Sequence, residues 1–269
     1  MKTKEVIDWL DATFHPEYQE DYDNAGFLLG NAQSDYKGTL VALDLTSAVV
    51  DEAVQLGMSL IVTHHPFIFT GVKRLTDASE MGRMTMTLIK NNISVYAAHT
   101  NLDNLPWGVS GALAEKLGLM NTRVLRVERE ERREENGEIG AGMVGELPEP
   151  MDVMAFLQKV KKVTGIPCIR TSHFSPLTSH FLLQRVALCG GSGAEFIGDA
   201  IRAGADIYLT SDLKYHDFQR TNQRMLLADI GHYESEQFAK DIIFSTISEK
   251  FPTFACRISA LQKSIVSYI

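Results

Sequence analysis

One pattern in this chain occurs twice. TLVALDLTSAVVDEAVQLGMSLIVTHH (39–65) and QRVALCGGSGAEFIGDAIRAGADIYLTSD (184–212) each run strand, turn, amphipathic helix, glycine, strand, and then a polar pair after Thr63 or Thr210. VALD and VALC are apolar enough for parallel strands buried on both faces. Val49, Val50, Ala53 and Val54 keep helical spacing, and Gly57 stands where a helix-ending glycine belongs. In the second copy Ser192 and Glu195 read as an S-x-x-E capping box, with Gly204 as the stop. A further helix follows each copy, over 78–91 and, shorter, over 214–222; a strand ending in histidine comes next, at His99 and at His232. The pattern predicts an α/β fold of two similar lobes, an internal duplication of a β-α-β-α-β unit with right-handed crossovers. Lobes facing each other bring their strand ends to one cleft.

Those strand ends carry the chemistry. SVYAAHTNLDN places His99 and Asp103 four residues apart, and MLLADIGHYESE repeats the register with His232 and Glu236. LIVTHHPFIF adds the adjacent pair His64 and His65. Neutral imidazole and carboxylate without thiolate form a common ligand set for metals, and α/β folds place ligands beyond their strand ends. Neighbours on a regular strand point to opposite faces, but at a strand end His64 and His65 can reach two ions. Asp103 and Glu236 are the natural carboxylate ligands. The expectation is two divalent ions about 3.5–4 Å apart in a dinuclear metal cleft, the layout of many hydrolases. The donor set suits zinc, iron, manganese or nickel without choosing among them. His99 is assigned to positioning Asp103 or to shuttling protons, since five other groups serve two ions; a ligand role is the alternative. Asp212, Lys214 and His216, in SDLKYHD, stand at a strand–helix junction where they would meet an anionic substrate, with Asp212 as a helix cap the simpler reading. GGSG at 190–193 has the spacing of neither common phosphate loop and reads as a tight turn. His15, His173 and His180 lie outside any cluster.

The bulk numbers narrow the class. A length of 269 residues suggests two lobes, and 45% hydrophobic residues supply real cores. A net charge of −8 argues against an unpatterned nucleic-acid or anionic-membrane binder. No apolar run reaches a membrane span, and MKTKEVIDWLDATF lacks the core of a signal peptide. Cys168, Cys189 and Cys256 make neither a disulfide framework nor a thiolate site. A cytoplasmic protein is expected. Between the repeats, TRVLRVEREERREENGEIGAGMVGELPEP is charge-dense and carries an Asn-Gly turn. The expected division is a first lobe over 1–121, a connecting β-hairpin over 122–150 and a second lobe over 151–269, with TFACRISA and SIVSYI as two terminal strands.

YDNAGFLLG, VALDLT, IVTHHPFIF, HTNLDN, GGSGAEFIGDAIRAGADIYLTSDLKYHD and GHYESE together resemble the dinuclear-metal family called GTP cyclohydrolase I type 2 homologues, or NIF-three-like proteins. The likeness covers nearly the whole chain. It implies His64, His65, Asp103, His232 and Glu236 as metal ligands, and Tyr22, Asp23, Asn24 and Gly26 as the family's N-terminal aromatic-Asp-Asn-x-Gly segment, where the aromatic is more often Trp. Thr210-Ser211-Asp212 stands for the family's TGD. The chain is similar to the short form, which lacks an inserted middle domain. The resemblance also implies a toroidal homohexamer, and by name a metal-dependent hydrolase that opens the guanine ring of GTP, although no guanine reader is evident. A small-molecule substrate such as a nucleotide is thus the expected partner. The other class compatible with these residues is a non-catalytic metal-binding protein of regulation or assembly, acting through partner proteins.

Overall fold

The computed structural model describes residues 1–127, 133–134, 137–172, 182–221 and 224–269. Two compact units emerge, Met1–Leu102 with Ala239–Lys263, and Asp103–Phe238 with Ser264–Ile269.

The first unit opens with α1 (Thr3–Phe14), whose Val6, Ile7, Leu10 and Phe14 recur on one face and are buried. Strands β1 (Gly26–Leu29), β2 (Gly38–Ala42), β3 (Leu60–Thr63) and β4 (Ser94–Ala97) alternate with α2 (Ser47–Leu56) and α3 (Glu80–Lys90). Thr46 caps α2 by accepting from the Val49 amide at 3.3 Å, and Gly57 closes it at φ 66, as its position predicts. Ser79 caps α3 through the Gly82 amide at 3.1 Å. The sheet order is β1-β4-β3-β2 and then β13 (Ala255–Ile258), which follows α9 (Ala239–Lys250). All neighbours are parallel except β1 on β4. Ala42, Thr63 and Ala97 are in register, so three parallel strands end flush at one edge.

In the second unit, α4 (Thr100–Asp103) crosses the division; α5 (Val109–Lys116), β5 (Met120–Val127), β6 (Arg133–Glu134), β7 (Gly137–Glu138) and β8 (Gly140–Asp152) follow. Then come α6 (Val153–Thr164), β9 (Arg170–Thr171), β10 (Leu182–Ser192), α7 (Ile197–Arg202), β11 (Ile207–Ser211), β12 (Leu226–Asp229) and α8 (His232–Glu236). The six-stranded order is β5-β8-β10-β11-β12-β9, with β10, β11 and β12 parallel. Successive strand residues serve opposite faces. Val186, Leu188 and Leu209 enter one core cluster; Ala187, Cys189 and Tyr208 enter the other.

The parallel trio β2-β3-β4 thus recurs as β10-β11-β12 with the same neighbour order, and the chain is α/β with two similar lobes. Strand β5 pairs antiparallel with β8 from Met120↔Glu146 to Val127↔Gly140, so the arms of the linking segment lie side by side within the second sheet. The two compact units divide the chain inside α4, and α9 with β13 belongs to the first, where β13 pairs in parallel with β2. Several local expectations differ from what is observed. SIVSYI (264–269) forms no strand. Ser192 is not a helix cap: it pairs with Ser211 in the ladder, and a single 3-10 turn, Ala194–Phe196, precedes α7. Among the described residues, the second crossover of that trio carries one 3-10 turn, Asp217–Gln219. His173 and His180 lie outside the described residues, as does part of the ENGE turn.

Candidate metal centre

At the flush edge of β2-β3-β4 the ladder continues past the strands: the His65 amide donates to Leu43 O at 2.9 Å, and the Ala98 amide to Thr63 O at 2.9 Å. Adjacent His64 and His65 turn toward different neighbouring strands. His64, fully buried, bonds through Nδ1 to Ala98 O at 2.7 Å; His65 bonds through Nδ1 to Asp44 Oδ1 at 2.6 Å. Their ring centroids are 5.1 Å apart, and His99 stands 5.3 and 5.6 Å from them. One ligand-capable atom from each of the three lies within 4.8 Å of those of the others. His99 Nδ1 bonds to Asp23 Oδ1 at 2.7 Å. Burial alone would raise the Asp23 pKa, but the bond and charge of His99, with Thr100 donating at 2.5 Å, hold it down at about 2.

In the second unit the parallel trio presents its own set. Asp212 follows β11 at φ 56, a left-handed conformation that Asp tolerates better than most side chains. Its Oδ2 meets His232 Nδ1 at 2.7 Å. One helical turn on, Glu236 Oε2 is 2.9 Å from His232 Nε2. Burial opposes protonation of His232, but the bonds from Asp212 and Glu236 outweigh it and push its pKa up to about 11. Burial pushes the Cys189 thiol well up, reinforced by the carboxylates of Asp103 and Glu236, which keeps the sulfur protonated.

GGSG shapes this corner. Gly191 stands at φ 63, and a Cβ on it would lie 1.9 Å from Glu236 Oε1. Its amide donates to Ser235 Oγ at 2.9 Å, and Ser235 Oγ donates to His232 O at 2.9 Å. The missing side chain makes room for the carboxylate. Lys214 and His216 are exposed on the turn after Asp212, the His216 ring edge-on to Tyr215 at 5.2 Å.

Histidines that ligate metals hold their other ring nitrogen in a carboxylate or carbonyl bond, which sets the tautomer and aims the ligating atom. All four histidines here are held that way through Nδ1, so Nε2 is the atom with which each would meet an ion. Each unit thus offers donors of the kind a divalent transition metal takes, three imidazoles in the first and His232 with the Asp103 and Glu236 carboxylates in the second. Asp44, which fastens His65, has no part in the reading of the sequence above; its signal was its place two residues past β2, at the edge that delivers the histidines. Gln262 braces it, donating Nε2 to Asp44 Oδ2 at 3.0 Å.

The family described as Duf34/NIF3 (NGG1p interacting factor 3) matches residues 1–264. The chain belongs to this family. A Clostridium perfringens member named GTP cyclohydrolase 1 type 2 homolog is 33% identical over 239 residues, covering 88% of this chain and 87% of the relative. A Streptococcus pneumoniae member with the same name is 33% identical over 243 residues, covering 90% and 89%. Alignment with a Staphylococcus epidermidis member runs over 367 positions at 26% identity, longer than this chain, so that relative carries residues absent here. Among solved structures, a Staphylococcus aureus protein of the same fold has a TM-score of 0.88 at 27% identity, covering 100% of this chain and 99% of its own. The Bacillus cereus protein related to NIF3 reaches 0.87 at 24% identity, with the same coverage, a likeness of fold. Among the described residues of this NIF3 member, no helix is long and apolar enough to cross a membrane.

Proposed function

We propose that the chain is a dinuclear metal-dependent hydrolase, with His64, His65, Asp103, His232 and Glu236 holding two divalent ions. The observation that carries the reading is the shared construction of the histidines, each fastened through Nδ1 to a backbone carbonyl or an aspartate at 2.6–2.7 Å. Such ions supply a water of lowered pKa and polarise a substrate oxygen. The protein's own groups do the rest. Asp44 and Asp212 fix the tautomers of His65 and His232, and Gly191 admits the Glu236 carboxylate. His99, held by buried Asp23, moves a proton at Nε2, the role a positioned His–Asp pair fills in acid–base catalysis. Asp212, Lys214 and His216 border the substrate. The relatives' printed name makes GTP the first substrate to try. The three free cysteines suit a cytoplasmic setting.

The test is metal analysis of purified protein and of Glu236→Gln and His65→Ala, followed by hydrolysis assays on GTP, other nucleotides, phosphoesters and peptides. Two ions per chain, largely lost in both folded variants, with turnover restored by the identified metal, is the expected result. Wild-type stoichiometry in both variants means the ligands are others. A second reading, a metal-binding protein that works through partners, draws on the family's description as an interacting factor. Absence of turnover by fully metallated protein on every substrate class selects it.

A further inference from the structure

Two of the exposed large apolar side chains of the first unit meet at the histidine cluster. Tyr22 is 62% exposed and Phe69 46% exposed, their centroids 6.4 Å apart and tilted by 51°. Phe69 is also edge-on to His99, at 6.3 Å and 82°. Phe67, two residues earlier, packs against the core of this unit, so the same loop sends one aromatic inward and holds the next in solvent. Both positions are secured. Tyr22 directly precedes Asp23, which fastens His99, and Asn24 Nδ2 donates to Ile68 O at 2.5 Å, tying the two segments together. Rings kept in water on a braced frame, in contact with a group of the reaction centre, are the lining of a ligand site.

We propose that Tyr22 and Phe69 form a stacking platform for a planar heteroaromatic ring of the substrate, next to the His64–His65–His99 cluster. The inference rests on the metal-centre reading for its location and adds the substrate class. A flat ring with a π-face is what two exposed aromatics in tilted contact accommodate, whereas an aliphatic or sugar phosphate gains little from them.

Isothermal titration of the full chain with guanosine and adenosine, and with ribose 5-phosphate as a control without a heteroaromatic base, tests it, alongside metal analysis and light scattering of the same samples. Wild type should bind at least one nucleoside; Tyr22→Ala and Phe69→Ala should each weaken that binding about tenfold or more, and Phe69→Trp should retain it. Metal content and ribose 5-phosphate binding should not change. The proposal is overturned if wild type binds neither nucleoside, if the alanine variants bind like wild type, or if metal and ribose 5-phosphate binding fall together with nucleoside binding, which would make the rings structural supports. Nucleoside binding by metal-free wild type that is lost in the alanine variants would sink the metal centre and support the platform.

Discussion

At the scale of the residue, the chain places unlike groups in like constructions. Asp44, Asp23 and Asp212 each fasten a histidine through Nδ1, and none is close in sequence to its partner. His99 shares that construction, which makes its variant informative. His99→Ala is expected to keep both ions and lower turnover about 10²–10⁴-fold, the cost of losing a positioned acid–base group. Metal content and rate measured together decide it, and one missing ion would make His99 a ligand. Gly191→Ala gives a complementary outcome. The cheapest relief of a 1.9 Å contact is to move the Glu236 carboxylate, and left-handed alanine adds only about 1 kcal/mol of strain. The variant should fold with a near-normal melting temperature yet bind metal about 10–100-fold more weakly. A large loss of stability with metal affinity intact would show that the glycine serves the backbone instead.

At the scale of the element, α1 packs on β4 through a polar contact, Tyr96 Oη donating to Asp11 Oδ1 at 2.9 Å. Burial raises the Asp11 pKa above 3.8, and the Tyr96 bond offsets this only in part. A carboxyl whose folded pKa is raised contributes stability in full below its unfolded value, and loses it as pH rises through the folded value. Asp11→Asn removes the titration and can still accept from Tyr96. Relative to wild type it should therefore gain thermal stability between pH 3 and pH 7, and melts at the two pH values check this. A gap that shrinks as pH rises contradicts the sign. Helix α2 and the parallel strands are legible from periodicity, because buried faces and caps are local matters. The second crossover of β10-β11-β12 is not: among the described residues it carries one 3-10 turn, Asp217–Gln219, where the sequence suggests a helix over 214–222.

At the scale of the whole molecule, we propose a homohexamer, as the resemblance implies. The last residues support it, since Leu261, Ile265, Val266 and Ile269 expose apolar side chains of the kind a neighbouring copy covers. Light scattering should return six chains, and a monomer at micromolar concentration would end the proposal. What the sequence alone determined is the recurring α/β unit and the candidate ligand set, because apolar runs of strand length, glycine stops and an i, i+4 histidine–carboxylate register are short-range signals. Only the tertiary structure decided what fastens each histidine. Asp23 lies 76 residues from His99, Asp44 lies 21 from His65, and Gln262 lies 218 from Asp44. Only the tertiary structure, too, returned β13 to the first sheet and turned GGSG into a cradle for Glu236. Such pairings depend on which strands lie side by side and where their ends stop, and local periodicity carries no information about either.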